Sequence, residues 1–112
     1  MSFKRKAYYL LIGFLFFIIH PVAGQDQKLA DSLAKIYQEE KLEDTSRLRL
    51  LNNLSFNEVN DLKLALQYAE ELISLSDQLG NHIYLHRGYF QKGNKKRLLG
   101  DLEQALDAYF KS

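Results

Sequence analysis

Apolar positions recur at helical spacing from Gln25 to Ser112, and no stretch alternates with period two for long enough to make a strand. Leu29, Leu33, Ile36 and Tyr37 form one stripe. Leu48, Leu51, Leu54 and Phe56 form a second, entered through Asp44-Thr45-Ser46, which offers N-cap chemistry. Leu62, Leu66, Ala69, Ile73 and Leu75 form a third, entered through Asn60-Asp61. Gly80 stands where a helix C′ residue belongs, and Asn81 can cap the next helix, with Ile83, Tyr84, Tyr89 and Phe90 as its stripe. Gly100 ends that helix. Asp101 and Gln104 then read as a capping-box pair for a last helix carrying Leu102, Ala105, Leu106 and Tyr109. The pattern predicts an all-α fold of antiparallel helix hairpins joined by short turns.

The first 24 residues, MSFKRKAYYLLIGFLFFIIHPVAG, follow a different logic. Lys4, Arg5 and Lys6 precede an apolar run from Ala7 to Ile19. His20 and Pro21 break the run, and Val22-Ala23-Gly24 supplies small residues. This reads as a secretory signal peptide cut between Gly24 and Gln25. The rival is an uncleaved anchor. A helix from Ala7 to Ala23 reaches roughly 25 Å at 1.5 Å per residue, short of the ~30 Å hydrocarbon core. Either reading places the body outside the cytoplasm and limits membrane contact to this apolar signal helix.

An offset of 40 aligns the chain with itself. Asp61-Leu62-Lys63-Leu64-Ala65-Leu66 falls on Asp101-Leu102-Glu103-Gln104-Ala105-Leu106, with Asn60 and Gly100 as the turn residues before each. Both turn residues tolerate the left-handed conformation. Similarity at fixed offset marks a stacked helical array. The second copy resembles the tetratricopeptide repeat (TPR), whose pattern is aromatic-x₂-Leu-Gly-x₂-Tyr, then Ala-x₃-Phe. Tyr89, Gly93, Ala105 and Tyr109 match it, while Lys92 and Lys96 depart from the Leu and Tyr. In the upstream copy Phe56 and Ala65 match; Asn53 stands for the glycine and Ala69 for the aromatic. The resemblance covers residues 45–112 and implies a TPR-like α-solenoid. Its organisation is 1–24 signal peptide or N-terminal anchor, 25–43 leading helix, 44–80 first degenerate hairpin, and 81–112 second, truncated hairpin. Gly93 and Ala105 are expected to be small because two helices cross closely there, with Tyr89 and Tyr109 filling the space beside the crossing.

Composition narrows the chemistry. Of 112 residues, 46% are hydrophobic and 26% charged, with one proline, which suits a folded chain of one small domain. The net charge is +1, but without Lys4, Arg5 and Lys6 the body holds twelve basic against fourteen acidic residues. A mildly acidic body has no general attraction to nucleic acid. There is no cysteine, which excludes disulfides and thiolate nucleophiles. Gly93 and Gly100 flank a basic run, but no Lys-Ser/Thr follows and no strand precedes, so a phosphate-binding P-loop is excluded. Lys95-Lys96-Arg97 reads as a solvated helix end where cations suit the dipole. His82 and His86 share one helical face, but Ile83 stands where a metalloprotease needs Glu and no third ligand lies nearby. Asn53-Leu54-Ser55 matches a glycosylation sequon in mid-helix and is read as coincidence. No catalytic, cofactor-binding or metal-ligating residue stands out, and no cofactor is expected.

The expectation is therefore a non-catalytic scaffold or sensor module whose concave groove receives a protein or peptide. Stable arrays need about three or more repeats, so fewer than two reads as the start of a longer protein. The signal peptide, LADSLAKIYQEEKLEDTSRLRLLNNLS and GYFQKGNKKRLLGDLEQALDAYFKS together resemble the N-terminal region of Bacteroidetes-type signalling proteins. That resemblance implies periplasmic TPRs ahead of a transmembrane helix and a cytoplasmic output domain. The output would be an adenylate/guanylate cyclase, a histidine kinase or a phosphatase, with a homodimer formed through the parent protein. No residue of such a domain lies in this chain.

Overall fold

The computed structural model describes residues 25–112; residues 1–24, read above as a signal peptide or anchor, lie outside the described residues together with Gly24 of the expected cleavage site. Five α-helices follow one another: α1 (Gln27–Glu39), α2 (Asp44–Asn57), α3 (Leu62–Leu79), α4 (His82–Leu98) and α5 (Leu102–Lys111). Among the described residues there is no strand, and no helix is long and apolar enough to cross a membrane.

Local chemistry sets the ends. Asp26 caps α1 by accepting from the Lys28 and Leu29 N–H groups. Asp61, Asn81 and Asp101 each cap the helix that follows, accepting from Leu64, Tyr84 and Gln104 N–H respectively. Gly80 closes α3 in the left-handed region (φ 64°), and the Asn81 N–H reaches back to the Ser76 carbonyl at 2.9 Å. Gly100 repeats the device after α4 (φ 87°), with Asp101 N–H on the Lys96 carbonyl. That bond corrects the capping-box reading: the Asp101 N–H that Gln104 was to accept is already used, so only the Asp101 half of the box forms. The start of α2 also differs. Its cap residue is Glu43, without a side-chain cap bond, and Asp44 already lies in the first helical turn.

Each helix packs on its sequence neighbour, and α2 also approaches α4. The backbones of α1 and α3, and of α3 and α5, do not meet. Leu48, Leu50, Leu51 and Leu54 of α2 with Tyr68 and Leu72 of α3 form the core, against which Leu33, Ala34, Tyr37, Leu42, Leu64, Leu75 and Tyr84 pack. The start of α1 is tied to the end of α2: Asp26 N–H donates to Asn57 Oδ1 at 3.0 Å. Gln27 Oε1 accepts from the Val59 and Asn60 N–H groups, and its Nε2 donates to Glu58. Glu58 in turn accepts from Asn60 and Asp61 N–H, so one carboxylate organises the α2–α3 turn.

The stripes are partly corrected. Leu29 and Ile36 face solvent, and Ala30 is the buried residue of α1, because among the described residues that helix has one backbone neighbour to cover it. Ile83 and Phe90 lie outside as well; α4 turns Gly88, Gln91, Gly93 and Lys95 inward. On α5 the buried residues are Ala105 and Ala108, while Leu102 and Leu106 are exposed.

Candidate interaction surface

The α4–α5 contact is built from the residue types read in the second copy. Gly93 and Ala105 are both buried in it. A Cβ on Gly93 would lie 2.5 Å from Cδ1 and Cε1 of Tyr109, so the ring rests directly on the glycine. The Tyr109 hydroxyl donates to Asn94 Oδ1 at 2.6 Å and accepts from Arg97 Nε at 3.3 Å, which holds the ring in place. Phe90 tilts against the same ring with centroids 6.1 Å apart. Tyr89 is half-buried, with the Lys111 ammonium 5.8 Å from its ring centroid.

A second close approach, between α3 and α4, carries no TPR signature. A Cβ on Gly88 would meet Ile73 Cγ1 at 2.7 Å and the Ile73 backbone nitrogen at 3.2 Å. Its only sequence signal is a glycine inside a helix, where it costs about 1 kcal/mol relative to alanine.

The first copy differs in its turn. The last main-chain bond of α2 is Glu58 N–H to Leu54 O, and that of α4 is Leu99 N–H to Lys95 O, an offset of 41. The caps Asp61 and Asp101 keep the offset of 40. The first turn therefore holds one residue more. The Ser55 hydroxyl donates to the Ala65 carbonyl at 2.9 Å between α2 and α3. Asn52 keeps a buried Oδ1 without a partner among the described residues, and Asn53, read in the place of Gly93, lines a groove shared with α1. Ala65 is fully buried. Phe56 is half-buried, and its carbonyl accepts from Lys95 Nζ at 3.4 Å.

Lys95 is the main correction to the charge reading. It is 1% exposed, not part of a solvated basic run. Its ammonium reaches a carbonyl near the C-terminus of α2, where positive charge suits the helix dipole. Burial pushes its pKa below 10.5, and the Glu58 carboxylate opposes the shift. Nothing in the run Lys95-Lys96-Arg97 distinguishes the buried cation from half-buried Lys96 and exposed Arg97.

Two shallow grooves flank α2. One, of about 220 Å³, is lined by Leu33, Ile36, Leu42 and Leu50 and by the polar groups of Ser46, Arg49 and Asn53. The three polar residues follow at i, i+3 and i+7 and share one side of α2. Among the described residues Arg49 forms no ion pair. The other groove, of about 260 Å³, includes Tyr37, Arg47, Leu51, Glu71 and Leu75. There the Tyr37 hydroxyl donates to Glu71 at 2.7 Å. Burial, then that bond to Glu71, push the Tyr37 pKa up to about 12. Among the described residues no three metal-ligating side chains converge; His86 Nδ1 lies 3.4 Å from the Lys111 carbonyl instead.

No family model, curated protein or solved structure matches this chain.

Proposed function

We propose that the chain is an exported, non-catalytic interaction module, a TPR-like α-solenoid that receives a protein or peptide along the inner side formed by α2 and α4. The observation that carries this is the contact order: α2 approaches α4, whereas the backbones of α1 and α3, and of α3 and α5, stay apart. Helices that close up on one side and spread on the other enclose a concave surface there. At the α1 edge of α2, Ser46, Arg49 and Asn53 stand beside Leu33 and Ile36 in one groove. A guanidinium and an amide next to apolar walls suit a carboxylate flanked by an apolar side chain.

Selection of displayed peptides on the full chain tests this reading. Enriched sequences are expected to pair an acidic residue or a terminal carboxylate with an apolar neighbour. They should bind at least tenfold more weakly to Arg49→Ala at unchanged melting temperature. Enriched peptides without a carboxylate, or indifferent to Arg49→Ala, would refute it. Export is read from the N-terminus of the expressed protein: Gln25 as first residue supports a cleaved signal, whereas retention of Met1 supports an anchor. In the wider proposal the module is the sensing head of a membrane signalling protein with a cyclase or histidine kinase output.

A further inference from the structure

The groove where α1, α2 and α3 meet, about 260 Å³ in volume, joins opposite charges that are not paired with each other. Arg47 and Leu51 lie a turn apart on α2, Glu71 and Leu75 a turn apart on α3, and Tyr37 comes from α1. Among the described residues neither Arg47 nor Glu71 forms an ion pair. Glu71 accepts one side-chain hydrogen bond, from the Tyr37 hydroxyl at 2.7 Å. A carboxylate accepts at several positions and a guanidinium donates from several N–H groups, so both keep unfilled capacity.

The walls are held in place. The Tyr37 ring meets buried Tyr68 edge-on, with centroids 6.3 Å apart. The positive charge of Arg47 opposes the rise of the Tyr37 pKa, which puts it near the hydroxyl that Glu71 binds. Leu51, 1% exposed, and half-buried Leu75 supply apolar contact.

A cation and an anion in one groove, each unpaired, suit a ligand that carries both charges. In an amino acid the ammonium and the carboxylate stand on one carbon, so one small molecule answers both walls. We infer that this groove binds a free α-amino acid with an apolar side chain, its carboxylate on Arg47, its ammonium on Glu71 and its side chain on Leu51 and Leu75. A residue inside a peptide carries neither charge, and a peptide terminus carries one of them. The volume is also too small for a single helical turn, about 10 Å across and about 5.4 Å long. No lining residue is shared with the groove at Arg49, so the site stands apart from the peptide surface proposed above.

The test is equilibrium dialysis of the full chain against radiolabelled L-leucine, and saturable one-to-one binding is expected. Isoamylamine lacks the carboxylate and isocaproate lacks the ammonium; each should compete at least tenfold more weakly than unlabelled L-leucine. Glu71→Gln keeps an acceptor for Tyr37 at an exposed position, so it should melt with the parent. It should weaken L-leucine at least tenfold and abolish its advantage over isocaproate. Arg47→Met is the second variant and should abolish the advantage over isoamylamine. Arg49→Ala should leave binding unchanged. Any of four results would overturn the inference: no saturable binding of L-leucine, an analogue that competes as well as L-leucine, binding that both groove variants leave unchanged, or binding that Arg49→Ala abolishes.

Discussion

Tyr109 lies on Gly93 with its hydroxyl held by Asn94 and Arg97, so the ring has little freedom to move aside. Gly93→Ala adds helix propensity worth about 1 kcal/mol, but it drives a methyl to 2.5 Å from two ring carbons. Overpacking of that kind costs about 1–3 kcal/mol, so the net change is a lower melting temperature. Thermal unfolding followed by circular dichroism checks it, and a variant that melts higher contradicts the packing account. Lys95 makes an opposite case. A lysine whose pKa is lowered in the folded state binds fewer protons there than in the unfolded chain. Stability therefore rises with pH as the folded pKa is passed and levels off near the unfolded value of 10.5. Tyr37 and Tyr68, raised by burial, act in reverse above the ordinary tyrosine value of 10.0, so melts are compared below pH 10. Lys95→Met should leave the protein at least as stable at pH 7, because apolar replacement of a buried charge is often neutral or stabilising by about 1–4 kcal/mol. It should also flatten the rise toward pH 10. A clear loss of stability at pH 7 would show that the bond to Phe56 outweighs desolvation.

At the scale of elements, the helices themselves were legible because their ends are written in short-range chemistry. Asp61, Asn81 and Asp101 cap through their own side chains, and Gly80 and Gly100 take the left-handed turn. The length of the α2–α3 turn was not legible: it holds one residue more than the α4–α5 turn, while the caps Asp61 and Asp101 keep their spacing. Gln27 shows what a single polar residue contributes between elements. Its amide bonds Val59, Asn60 and Glu58 together, tying α1 to the α2–α3 turn. Gln27→Ala removes those partners and should loosen α1 first. Amides of residues 27–39 are expected to exchange with deuterium at least tenfold faster, with α3 and α4 unchanged. Equal acceleration in every helix would mean that α1 does not open separately.

Over the whole molecule, helices that touch mainly their neighbours should behave as a short linear array. Among the described residues α2, α3 and α4 have neighbours on both sides, and α1 and α5 pack their backbones on one each. Hydrogen exchange should therefore be slowest in α2, α3 and α4 and fastest in α1 and α5. Uniform protection across the described helices would indicate a single cooperative unit instead. The same arrangement explains why the apolar rows of α5 and α1 were assigned to the core from spacing. Spacing reports which side of a helix is apolar, but a row is buried only if another element lies over it.

From its own residues the chain settles where helices start and stop, because capping, glycine turns and periodicity act within a few residues of each other. The glycine at position 93 and the alanines at 65 and 105 also announce close crossings in advance, since little else justifies small side chains there. Distance along the chain carries no word of which neighbour arrives from afar. That decides the burial of Lys95, the Gly88 approach to Ile73, the role of Ser55 and the uncovered face of α5. Each depends on how whole helices stack, a property fixed by summed packing over many residues and not by local conformation.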